Sequence, residues 1–86
     1  MHVAMIGAGY VGLVSAACFS EFGVDVVCVD KMQDKIDGLK AGQIPIFEPG
    51  LEDLVNHNVA AGRLSFTTDI AEAVPQADVI MLTVGT

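Results

Sequence analysis

Eighty-six residues place this chain at the small end of what folds as a domain, and at 52% hydrophobic with a mean hydropathy of +0.56 it is unusually apolar for that size. Eleven acidic against four basic residues give a net charge of −7, which argues against a nucleic acid or an anionic membrane as partner. Two cysteines do not make a disulfide framework, and no apolar run approaches the ~18 residues that a bilayer span needs.

The opening "MHVAMIGAGYVGLVSAAC" has the apolar character of a secretion signal. No Lys or Arg precedes its apolar part and three glycines interrupt it, so a cytosolic protein is expected. Residues 2–6, "HVAMI", read as a short buried strand, and residues 10–22 as a helix closed by Gly23, so apolar that it must be largely covered. Cys18 in that helix reads as a small buried side chain. "DVVCVD", residues 25–30, is the β-branched run of a strand buried on both faces, with Cys28 inside it. From 31 to 41 the helical period returns through Met32, Ile36 and Leu39, with Gly42 as its stop.

Residues 42–54, "GQIPIFEPGLEDL", set three core-type side chains, Ile44, Ile46 and Phe47, among prolines that forbid a regular ladder. Leu51, Leu54, Val55 and Val59 then mark a third helix, with Glu52 and Asp53 in its first turn and Gly62 at its end. The connector has two readings. It climbs back along the sheet and brings Glu48 to the carboxyl edge of the strands, or the third helix lies across the opposite edge and the connector packs it. "RLSFTT" reads as a strand with Leu64 and Phe66 inward, and Asp69 with Glu72 resembles a capping box for a brief helix ended by Pro75. Residues 78–86, "DVIMLTVGT", form a last buried-type strand.

The order β-α-β-α-α-β-α-β predicts an α/β fold, a parallel sheet covered by helices in a doubly wound, Rossmann-type domain. A final strand carrying Val79, Ile80, Met81, Leu82 and Val84 would be a poor sheet edge. Residues 1–86 are therefore expected to be the first half of such a domain, with the remainder and any catalytic or substrate domains elsewhere in a longer chain.

"GAGYVG", Gly7 to Gly12, fits G-x-G-x-x-G between a predicted strand and a predicted helix, and Asp30 ends the next strand 18 residues further on. Gly7 permits the tight turn, Gly9 lets a pyrophosphate approach the backbone, and Gly12 lets the helix pack closely on the strand. The free N–H groups of Tyr10, Val11 and Gly12 then point at the anion. Asp30 can accept hydrogen bonds from an adenosine ribose and repels the 2′-phosphate of NADP, so NAD is the expected cofactor, with Lys31 as a complication. FAD is the rival dinucleotide, although its domains often carry Glu at this position. Cys18 and Cys28 lack the exposure and positive surroundings of a nucleophile, so no catalytic residue is assigned. His2 and His57 stand apart from other ligating side chains, and no metal site is expected.

"MIGAGYVGLVSAACFSEFGVDVVCVD", "KIDGLKAGQIPIFEPGLEDLV" and "TTDIAEAVPQADVIMLTVGT" together resemble the N-terminal part of the UDP-glucose/GDP-mannose dehydrogenase family. The resemblance covers essentially the whole chain, and "IPIFEPGL" and "VGT" are its most specific parts. It implies an NAD-dependent enzyme, a homo-oligomer such as a dimer when whole, that oxidises the C6 alcohol of a nucleotide sugar to the carboxylate by two hydride transfers. A cysteine in a later domain forms the thiohemiacetal and thioester in that family. By position, Tyr10, Val11, Asp30, Lys35 and Thr86 match the family's cofactor contacts, although Lys35 also reads as a solvated helix lysine and Thr86 as a chain terminus. The apolar "IPIF" leans toward UDP-glucose as substrate. A stand-alone NAD-binding regulatory module, a GDP-mannose or UDP-N-acetylmannosamine dehydrogenase, and half of a hydroxyacid or hydroxyacyl dehydrogenase are the other readings.

Overall fold

The computed structural model describes residues 1–45 and 48–83. Strands β1 (His2–Ile6), β2 (Asp25–Val29), β3 (Leu64–Thr67) and β4 (Val79–Leu82) form one parallel sheet in the order β3-β2-β1-β4. Helices α1 (Tyr10–Glu21), α2 (Gln33–Lys40), α3 (Leu51–Ala60) and the single turn α4 (Ile70–Ala73) connect them. This is the α/β, Rossmann-type half-sheet that the alternation of elements predicts.

The short apolar strands put alternate side chains on opposite faces. Met5, Cys28 and Phe66 pack one face against Leu13 and Ala17 of α1, Leu39 of α2 and Val55 of α3. Ala4 and Val29 point the other way and meet only Ala73 of α4 among the buried side chains. Ile80 and Leu82 share that second face through their register with Ala4 and Ile6, and remain 47% and 73% exposed. Among the described residues no helix is long and apolar enough to cross a membrane.

Ile6 stands beside both Val29 and Leu82, so β1, β2 and β4 finish level at one edge. The turn after β1 therefore lies between Asp30 and Thr83.

The third helix runs in the same direction as the first. The Tyr10 hydroxyl, at the start of α1, donates a hydrogen bond to Glu48 just ahead of α3, and Asn58 Nδ2 near the end of α3 donates to Glu21 Oε2 at the end of α1, at 2.9 Å. Glu48 thus stands on the edge that carries the Gly7 turn, as the climbing reading of the connector requires. Ile44 packs against the main core, while Ile46 and Phe47 lie outside the described residues. Gly50, at φ +82 and ψ −10, takes the third position of a type II turn closed by Leu51 N–H on Glu48 O at 3.1 Å, with Pro49 in the second.

Several local expectations change. Cys18 is exposed rather than buried, because Ala16 and Ala17 already face the core and the next residue turns about 100° away. Tyr10 and Val11, at 54% and 61% exposed, likewise face outward at the start of α1. Helix α2 starts at Gln33, two residues late, because Met32 N–H is taken by the Asp30 carboxylate at 3.0 Å. Asp69 does cap α4, accepting from Ala71 N–H at 2.9 Å, but Glu72 accepts from the Thr67 hydroxyl at 3.3 Å instead of reaching back to complete a box. Pro75 sits inside a short 3-10 turn, Val74–Gln76, that extends the helix it was expected to end. The described part of the last strand is four residues long.

Candidate functional site: a phosphate cradle and an acidic ribose acceptor

Gly7 leaves β1 with φ +108, a left-handed value that side chains rarely adopt, and its N–H donates to Val29 O at 2.7 Å. A Cβ on Gly12 would lie inside contact distance of the Gly7 carbonyl oxygen and 2.6 Å from Thr83 Oγ1. Gly9 differs from both, since a Cβ there would meet no protein atom within 4 Å. Space is thus kept open at Gly9 and used up at Gly12.

The first intrahelical bond of α1 runs from Leu13 N–H to Gly9 O at 2.9 Å. The N–H groups of Tyr10, Val11 and Gly12 precede it and have no intrahelical acceptor, the arrangement in which a helix start receives an anion.

Asp30 follows β2 at the same edge. Its Oδ2 accepts from Ala8 N–H at 3.0 Å and from Lys35 Nζ at 3.3 Å, and its Oδ1 accepts from Met32 N–H at 3.0 Å. Burial works to raise the pKa of this carboxyl, but the Met32 and Ala8 donors and the Lys35 ammonium outweigh it and hold it below the usual carboxylate value. The stability this contributes is present above the unfolded-state pKa, near 3.9, and is lost as pH falls through the lower folded value. Lys35 faces the carboxylate as an ion pair with a side chain 32% exposed.

Gly7, Gly9, Asp30, Lys35, Ile70 and Thr83 line one cavity of about 530 Å³. Three features suit a dinucleotide: an open backbone approach at Gly9, helix-start N–H groups without an intrahelical acceptor, and a fixed carboxylate with lone-pair capacity left on Oδ1. Tyr10 and Val11 follow Gly9 at the start of α1, and Tyr10 lines a separate groove with Glu48 and Leu54. Thr86 lies outside the described residues.

Thr83 is the participant that sequence reasoning missed. Its N–H donates to Ile6 O at 2.8 Å, and its hydroxyl lies 3.0 Å from Ile6 O and 2.9 Å from Gly7 O, fastening the end of β4 to the glycine turn. Its signal was positional: a hydroxyl at the carboxyl end of an otherwise apolar strand.

Burial, followed by the charge of Asp30, pushes the Cys28 thiol up to about 12. An alkylation time course on native protein is expected to modify exposed Cys18 and spare Cys28 until the fold opens; equal rates would contradict this packing. Among the described residues no group of three or more His, Cys, Asp or Glu is placed to hold a metal ion.

The family model for the UDP-glucose/GDP-mannose dehydrogenase family, NAD binding domain, matches residues 1–86. The chain is 64% identical over its whole length to the UDP-glucose 6-dehydrogenase of Rhizobium meliloti, and 56% identical over 98% of its length to UDP-glucose 6-dehydrogenase TuaD of Bacillus subtilis, covering 20% and 18% of those proteins. It superimposes with a TM-score of 0.95, at 46% identity, on a ternary complex of GDP-mannose dehydrogenase from Pseudomonas aeruginosa, covering all of this chain and 20% of that one. The chain spans about a fifth of the length of these relatives. A glycine cradle, an acidic residue at the end of β2 and this similarity along every part of the sequence agree: the chain belongs to the UDP-glucose/GDP-mannose dehydrogenase family, as part of its NAD-binding domain.

Proposed function

We propose that residues 1–86 hold the adenosine ribose and pyrophosphate of NAD within a longer nucleotide-sugar dehydrogenase that oxidises UDP-glucose to UDP-glucuronate. The observation that carries the reading is Asp30, a carboxylate fixed by two backbone N–H groups and Lys35 beside the open approach at Gly9. Gly9 and the N–H groups of Tyr10 to Gly12 receive the pyrophosphate, Asp30 accepts from the ribose hydroxyls, and Lys35 balances charge beside the ribose. Bound NAD supplies a hydride acceptor. Taking a C6 alcohol to a carboxylate requires two hydrides to two NAD, takes its second oxygen from one water and releases three protons.

The 64% identity to a relative named for UDP-glucose favours that sugar, and the 46% identity to a structure named for GDP-mannose keeps the second reading in view. NADH formation by the full-length protein with each nucleotide sugar decides between them. Turnover with GDP-mannose alone would overturn the substrate assignment, and turnover by the 86 residues alone would overturn the division of labour.

The exposed face of β4 belongs to the same proposal. In the complete domain Ile80 and Leu82 are covered by later elements, and burying each contributes about 1.5–3 kcal/mol. Urea unfolding of the complete domain is expected at a clearly higher midpoint than that of residues 1–86, and equal midpoints would contradict the covering.

A further inference from the structure

The hydrogen bond from the Tyr10 hydroxyl to Glu48 Oε1 joins two regions 38 residues apart in sequence. Tyr10 is the first residue of α1, and its own N–H is the first of the three that the helix leaves free. Glu48 opens the turn closed by Leu51 N–H and shaped by Gly50 in the left-handed region, so its backbone is held by the start of α3. The ring between them lies in a groove lined by Val14, Cys18 and Leu54, which gives the phenol apolar walls and one carboxylate at its tip.

We propose that Glu48 is a positioning residue for the pyrophosphate: by accepting the Tyr10 hydroxyl it anchors the first turn of α1 to the start of α3 and fixes where the free N–H groups point. The inference rests on the NAD reading above. Glu48 contributes here as an acceptor, not as a charge, because a second anion beside a pyrophosphate would by itself oppose binding. The phenol stays a donor across the neutral range, since the hydrogen bond to Glu48 and then its negative charge both raise the Tyr10 pKa.

The test is a set of dissociation constants measured on the full-length protein with NAD, ADP-ribose and adenosine. Glu48→Ala and Tyr10→Phe are each expected to weaken NAD and ADP-ribose about three- to tenfold, the range for losing one hydrogen bond, and to leave adenosine within about twofold. The double variant is expected to lose no more than either single one, and Glu48→Gln, which keeps an acceptor oxygen, to recover most of the affinity. Additive losses, a Gln variant as weak as the Ala variant, or equal weakening of adenosine would each overturn the anchoring role. Wild-type protein that binds neither NAD nor ADP-ribose would overturn the cofactor reading itself, whereas tight wild-type binding with unaffected variants overturns only the part given to Glu48.

Discussion

Gly12→Ala is expected to cost both fold and cofactor, while Gly9→Ala costs only the cofactor. At Gly12 the added methyl would press on the Gly7 carbonyl and the Thr83 hydroxyl. The carbonyl is backbone, and the hydroxyl is tied to Ile6 and Gly7, so neither can swing aside cheaply. Overpacking of this kind destabilises by about 1–3 kcal/mol, and a rigid backbone neighbour places Gly12→Ala at the upper end. At Gly9 the methyl meets open space, and φ −76 with ψ −165 is backbone that alanine adopts readily. On the proposed reading that space is where the pyrophosphate approaches. Losing two charge-assisted hydrogen bonds of about 1.5–3 kcal/mol each corresponds to roughly a hundredfold or greater loss of NAD affinity. Denaturant midpoints and NAD titrations on both variants separate the effects. A Gly9→Ala protein that binds NAD normally would falsify the cradle.

Asp30→Ala is expected to weaken NAD by roughly ten- to a hundredfold and NADP far less, because on the proposed reading the carboxylate that would accept from the ribose hydroxyls would also repel a 2′-phosphate. Equal losses for the two cofactors would remove Asp30 from the ribose. The substitution also orphans the N–H of Ala8, a residue 1% exposed, and a buried donor without an acceptor costs about 1–3 kcal/mol. Asp30→Asn keeps an acceptor for one of the two N–H groups and should fall between wild type and alanine in stability. Lys35 adds a further reading of the same pair. With its carboxylate gone the ammonium is free to meet a phosphate, so Asp30→Ala with Lys35→Ala should bind NADP more weakly than Asp30→Ala alone.

The cradle was legible in the sequence because backbone geometry writes itself into glycine. Gly7 and Gly12 stand where a side chain would violate a turn or a packed neighbour, Gly9 stands beside open space, and Asp30 follows a strand whose length the apolar run reveals. Lys35 reads from the sequence either as a ribose contact or as a solvated helix lysine, and helical spacing alone does not show that its ammonium stands 3.3 Å from Asp30. Tyr10 with Glu48 was not legible as a pair, since their meeting depends on the direction of α3, and the connector permits either direction until its path is known. Cys18 was misread because a helix of small apolar residues carries little periodicity, and hydropathy cannot say which small side chain turns outward. Thr83 needed the β1–β4 register, a contact between residues more than seventy positions apart.

That register also has a consequence for how the chain is made. Strand β1 is central in space and first in sequence, with β2 on one flank and β4 on the other. On a ribosome adding ~5–20 residues per second, the β2 flank can be satisfied within seconds of β1 emerging, but the β4 flank waits on the order of three to eleven seconds more. During that interval Val3, Ala4 and Met5 present an open row of N–H and C=O groups on an apolar strand, the kind of template that recruits a neighbouring nascent chain. The order of strands at this edge therefore leaves β1 half-paired until β4 has been made.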